Sequence, residues 1–145
     1  MKTKKEFYKM IAERLSGDPN AESITNCHGY SLFVCGEKDR ERFVSGKYST
    51  YFDELVKSDK AYFGSIAVWR DKDGVVKHSG IVRNANPIVI SNRREVSGKI
   101  FNRDTKQSIH NFYQTEYPEF NFSEQELEFR LPSKLKKILD KEARN

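Results

Sequence analysis

The chain has 145 residues, 37% hydrophobic and 32% charged, with seven Tyr, ten Phe and a net charge of +5. That length suits one domain around one core, and the aromatic content excludes a disordered chain, which is charged but poor in core-forming residues. A pI of about 9.1 favours anionic partners such as nucleic acid, acidic membrane surfaces or wall polymers; because Lys and Arg are spread along the chain, solubility alone also explains them.

The stretch Met1–Gly17 opens on lysines, but no apolar run follows. Phe7, Tyr8, Met10 and Ile11 are interleaved with Lys9, Glu13 and Arg14, so this is neither a secretory leader nor a membrane span. A cytoplasmic protein, or one exported without a cleaved signal peptide, is expected. Thr3 and Glu6 form a capping box, and Phe7, Tyr8, Ile11 and Leu15 recur at helical spacing, predicting a helix over Lys4–Leu15 stopped by Gly17 and Pro19. A polar loop over Asp18–Thr25 follows.

The next helix starts at Asn26 or Cys27 and runs through Tyr30, Leu32, Phe33 and Val34 to Gly36; its nearly unbroken apolarity predicts burial. A third helix, over Thr50–Ser58, has Asp53 and Glu54 in its first turn, where the helix dipole favours them. The period then changes. Ser65–Trp69 reads as a strand, Asp73-Gly74 as a hairpin turn, Val75–Arg83 as a second strand, Asn84–Pro87 as a turn, and Ile88–Ser91 as a third strand. A fourth strand is placed over Val96–Asn102. The polar, aromatic stretch Asp104–Phe122 is given no element. Pro132-Ser133 starts a last helix with Leu135, Ile138 and Leu139 on one face and lysines around it. Helices followed by an antiparallel meander make a single α+β domain spanning the whole chain.

If Cys27 and Cys35 share one helix, their Cα atoms lie roughly 12 Å apart, beyond disulfide reach. With no Cys-x-x-Cys pair and three His, a zinc site has little support. Free thiols in a reducing compartment are expected, with no metal and no cofactor.

Asn26-Cys27-His28-Gly29 is the most informative stretch. A cysteine at a helix start meets the positive end of the dipole, which favours thiolate, the nucleophilic form. Free N–H groups at the same end suit an oxyanion. The competing reading is a small buried residue, common for cysteine. The strand Lys77-His78-Ser79-Gly80-Ile81-Val82 supplies a histidine projected by a rigid element, as a general base requires, with Gly80 expected to leave open space beside it. A core-bonded strand histidine is the alternative. His28 is expected at a pocket wall or the surface, because helix neighbours do not face each other. Cys35 is expected in the core, His110 at the surface, Trp69 in sheet packing, and the C-terminal lysines on a solvated face.

Taken together, Cys27 at a helix start, Gly64–Trp69, His78-Ser79-Gly80-Ile81-Val82 and the strand Ile88–Ser91 resemble the NlpC-type, papain-like cysteine peptidases and amidases, relatives of the CHAP amidases. The resemblance covers Ile24–Arg93. It implies a papain-like domain with N-terminal helices packed on an antiparallel sheet, Cys27 as nucleophile, His78 as base, and a polar residue on a further strand to orient the imidazole. Two positions depart from the family pattern: Asn26 and Ser65 stand where the family usually has Asp. For the third catalytic position, a two-residue turn at Ala85-Asn86 puts Ser91 on the face of His78, since cross-strand partners and residues two apart share a face. A one-residue bulge promotes Asn92 instead, and a backbone carbonyl completing a Cys–His dyad is the third possibility. Ser91 is preferred.

The expected activity is hydrolysis of an amide bond through a thioester, by a cysteine hydrolase with catalytic Cys27, His78 and Ser91. By resemblance the substrate is the peptide stem of peptidoglycan, or another amide if the enzyme stays in the cytosol. A delivered toxin or effector would bring a cognate immunity or secretion partner, and a phage-type lysin is a further setting. Acyl transfer or deamidation on the same fold is one alternative. A non-enzymatic basic module stacking bases on Tyr and Phe is the other, although no nucleic-acid motif supports it.

Overall fold

The structure, a computed structural model, describes residues 3–16, 26–45, 50–93, 100–103 and 125–144. The expected loop over Asp18–Thr25, the stretch Asp104–Phe122 and His110 lie outside these residues, as does the 96–99 part of the predicted fourth strand.

Helix α1 (Lys4–Ser16) begins as the capping box predicts. Thr3 Oγ1 accepts the Glu6 N–H at 3.1 Å and donates to the Glu6 carboxylate at 3.0 Å. Phe7, Met10 and Ile11, spaced three and four apart, turn inward as one buried stripe. Helix α2 (Cys27–Val34) is buried at every residue, as its apolar run predicts. The Arg14 guanidinium joins the two helices: it donates to Phe33 O at 2.6 Å and Lys38 O at 3.1 Å, placing a cation on the negative end of α2.

The third helix is shorter than predicted. Helix α3 (Thr50–Asp53) stops after one turn, and strand β1 (Val56–Ser58) follows where the helix was expected to continue. Strands β2 (Ile66–Arg70), β3 (Val76–Ala85) and β4 (Ile88–Arg93) form the predicted meander. At the β2–β3 turn, Asp71 Oδ1 accepts the Asp73 and Val75 N–H groups at 2.9 and 3.0 Å, and Gly74 takes a left-handed φ of +81°, which suits glycine. Strand β5 (Ile100–Arg103) pairs with β4.

Strand β6 (Glu126–Leu131) and helix α4 (Ser133–Ala143) complete the described chain. Sequence reasoning assigned no element to 126–131, although Glu126-Leu127-Glu128-Phe129-Arg130-Leu131 alternates charged and apolar residues at period two. Among the described residues the strands form one antiparallel sheet in the order β1-β6-β2-β3-β4-β5, an α+β fold. The final strand thus lies between β1 and β2.

One face of this sheet (Ile66, Val68, Val76, Ile81) packs with α1, α2, α3 and α4 into the main core. The opposite face carries a smaller cluster of Ala67, Trp69, Val82 and Ile90. Which face a β3 side chain occupies therefore decides whether it can meet Cys27.

Candidate functional site

The start of α2 is fixed by Asn26. Its Oδ1 accepts the Gly29 N–H at 3.0 Å, the usual N-cap bond. The same side chain pairs with the backbone of Val44, donating to its carbonyl at 2.8 Å and accepting its N–H at 3.1 Å. Asn26 thus caps the helix and ties it to the 36–45 segment, work for which an amide, carrying both a donor and an acceptor, is better suited than a carboxylate. Gly29 allows the closeness: a Cβ there would sit 1.6 Å from Arg42 O.

Cys27 is the first residue of α2 and keeps 8% of its surface exposed, whereas Cys35 keeps none. The Cys27 sulfur lies 3.8 Å from Nδ1 of His28. That same nitrogen is 2.6 Å from the Ser79 hydroxyl of β3, and the His28 ring stands edge-on to Phe52 of α3 at 5.5 Å. His28 is therefore a buried neighbour of the thiol rather than the wall or surface residue the sequence suggested. Side chains lean toward the N-terminus of a helix, and at its first two positions no preceding turn separates them.

His78 is elsewhere. It pairs across strands with Trp69, and the two rings lie 5.0 Å apart, on the face of Ala67, Val82 and Ile90. Ser79, next along the strand, points to the opposite face and meets His28. The expected Cys27–His78 pair is thus not the one the structure makes: β3 presents Ser79 to the α2 side and turns His78 away. A bulge at Lys77 contributes. Trp69 opposes His78 and Arg70 opposes Val76, so Val76 returns to the main core two residues before His78.

A second bulge settles the register of β4. Val82 opposes Ile90 and Asn84 opposes Val89, leaving Arg83 unmatched. Ser91, partner of Ile81, therefore lies on the α2 face, while Asn92 shares the face of Ile90 and His78. The expectation that Ser91 sits beside His78 is corrected accordingly. Gly80 opens no space either: Ile90 Cγ2 lies 2.5 Å from where its Cβ would be.

The remaining sequence candidates have structural work. Ser65 bridges a turn, donating to Tyr62 O at 2.7 Å and accepting its N–H at 3.1 Å. Cys35 donates to Leu32 O at 3.4 Å, and burial pushes its thiol up to about 12. Trp69 is wholly buried in the sheet, as expected. Beside the α2 start, an open cleft of about 370 Å³ is lined by Lys38, Phe43, Val44, Thr50, Tyr51 and Glu54. Its Val44 is the residue bonded to Asn26.

Among the described residues no cluster of three or more His, Cys, Asp or Glu is placed to hold a metal, and no helix is long and apolar enough to cross a membrane. No family model, curated protein or solved structure matches the chain.

Proposed function

We propose that the protein is a cysteine hydrolase of amide bonds in which Cys27 is the nucleophile and His28 takes the part that the sequence assigned to His78. The observation that carries this reading is the 3.8 Å contact between Cys27 Sγ and His28 Nδ1 at the first turn of α2. A thiol at that place stands before the backbone N–H groups of a helix start, with an imidazole within reach of its proton. Cys27 attacks the substrate carbonyl, forming a carbon–sulfur bond. His28 Nδ1 receives the thiol proton and returns it to the departing amine as the carbon–nitrogen bond breaks. Water then cleaves the thioester, releasing the acid and restoring the thiol. The Gly29 N–H is bonded to Asn26, so the backbone N–H of Cys27 is the donor assigned to the oxyanion that forms meanwhile.

The order of a cysteine-bearing helix before an antiparallel sheet supports a papain-like, NlpC-type arrangement, and the resemblance names peptidoglycan stem peptides as the substrate class. His78 on the far face departs from that family's pattern, so the catalytic assignment rests on the local geometry of α2.

The test is alkylation and turnover together. Cys27 should react with iodoacetamide faster than Cys35, and His28→Gln should slow that reaction on the order of 100-fold, the usual contribution of a positioned base. Purified sacculi should release new amino groups with the wild type and none with Cys27→Ala. An unchanged alkylation rate in His28→Gln removes the base. Turnover of a protein glutamine or a lipid ester, with sacculi untouched, keeps the mechanism and changes the substrate.

A further inference from the structure

We infer that Ser79 is the positioning residue of this site: its hydroxyl, 2.6 Å from His28 Nδ1, holds the imidazole and changes from donor to acceptor when the Cys27 proton arrives. The inference rests on the Cys27–His28 reading above. One ring nitrogen has two neighbours, the Ser79 oxygen at 2.6 Å and the Cys27 sulfur at 3.8 Å. A nitrogen offers a single lone pair or a single proton at a time. At these distances the hydroxyl holds it in the resting enzyme.

That arrangement has a chemical consequence. When Ser79 donates its proton to Nδ1, it selects the tautomer with the lone pair on Nδ1 and the proton on Nε2, which is the form able to accept from the thiol. Once the thiol proton has moved to Nδ1, the new N–H donates to Ser79 Oγ, whose own hydrogen rotates away. A hydroxyl can do both in turn; a methyl group can do neither. Ser79 bonds the ring in both forms, but the bond to the charged ring is the stronger one, so on balance it favours imidazolium beside the Cys27 sulfur.

Ser79 is the hydroxyl placed at this nitrogen, and the segment that packs on α2 through Arg42 O also carries the buried carboxyl of Glu41. Ser79 is wholly buried and reaches His28 from β3. The face of β4 turned this way carries uncharged Ser91. From α3, Phe52 meets the ring edge-on, and the neighbouring Asp53 is ion-paired with Arg70 at 2.5 Å. From α1, Arg14 binds the opposite end of α2 at Phe33 O. On the histidine's own helix, the titratable neighbours are the Cys27 thiol and the buried Tyr30 phenol.

The experiment is the alkylation rate of Cys27 against pH in wild type, Ser79→Ala, Ser79→Thr and His28→Gln. Ser79→Ala should move the midpoint up by about one pH unit, so that the rate at neutral pH drops about 10-fold. Ser79→Thr, which keeps the hydroxyl, should recover most of that loss. Superimposed profiles for Ser79→Ala and wild type overturn the inference, and so does an equal loss in Ser79→Thr, which assigns Ser79 to packing. Should either variant fail to fold, nitrogen NMR of the wild type decides: a pyridine-like Nδ1 on neutral His28 upholds the inference, and a protonated Nδ1 overturns it. A His28→Gln profile identical to wild type instead sinks the base itself, whereas a slow His28→Gln beside a normal Ser79→Ala sinks Ser79 alone.

Discussion

Gly29→Ala sets two opposed effects against each other at the start of α2. Alanine is the better helix former by about 1 kcal/mol, so on propensity alone the change stabilises the protein. The structure argues the reverse. The new Cβ would stand 1.6 Å from Arg42 O, where real Cβ atoms essentially never come within 3.0 Å and ordinary contact begins at 3.4 Å. A backbone carbonyl cannot rotate aside as a side chain can, so the 36–45 segment must lift off the helix. Overpacking of this kind costs about 1–3 kcal/mol. The lift also pulls Val44 from the Asn26 amide, opening the two bonds of 2.8 and 3.1 Å, at about 1 kcal/mol each. After the helix gain is subtracted, about 2–4 kcal/mol of destabilisation remains, from the same central values. For a domain of this size the midpoint should fall by about 6–12 °C. Thermal melting followed by circular dichroism reads it directly. A midpoint within about 2 °C of wild type, or above it, would refute the reasoning, since propensity would then have won.

The thiols should separate in the folded state: burial pushes Cys35 up to about 12, so mass mapping after iodoacetamide at neutral pH should find the label on Cys27, with Cys35 joining once denaturant is added. His78→Ala should leave the alkylation rate of Cys27 near wild type yet lower stability by about 2 kcal/mol, because it empties the space against Trp69; denaturant melts and alkylation kinetics on one preparation would expose the opposite pattern. Burial pushes the Glu128 carboxyl up, but hydrogen bonds and charge from Arg130 and Arg70 outweigh it and hold the group below its ordinary 4.5. A depressed carboxyl lends stability above its unfolded value and loses it as pH falls through the folded one. The wild-type midpoint should therefore decline below about pH 4.5, and Glu128→Gln, melted across the same range, should show a shallower decline.

Local signals carried much of the fold. The capping box at Thr3, the turn at Asp73-Gly74 and the apolar run after Cys27 each act through a few adjacent residues, and each appears where the sequence places it. What the sequence hid is set by distant partners. Val56–Ser58 continues a helical pattern by composition, yet pairs with Phe129–Leu131 across the sheet. The histidine was misplaced by one inserted residue, Lys77, which parts its face from that of Val76, and Ser91 by a second, Arg83, which shifts β4. Lys77 and Arg83 each break the alternation of β3, and one extra residue moves every later side chain to the other face. The sequence did leave the Asn92 register open for this reason. His28 was passed over because helix neighbours diverge in a regular turn. The usable clue was its place in the first turn, beside the cysteine, with a strand serine available across the core.

The position of β6 also governs how the molecule comes together in time. Made from the N-terminus onward, the chain presents β2, β3 and β4 long before residues 126–131 exist. Until then the side of β2 that will receive β6 is a row of unfilled backbone donors and acceptors, from Ile66 to Arg70. Strand β1 waits too, because its pairing is to β6 as well. The sheet is therefore completed by insertion into a gap rather than by growth at a rim. That insertion joins segments more than fifty residues apart, the kind of closure that slows folding. While the gap stands open, any extended segment with alternating apolar residues competes for it, another copy's β6 included, so nascent or partly unfolded molecules carry a built-in route to strand exchange.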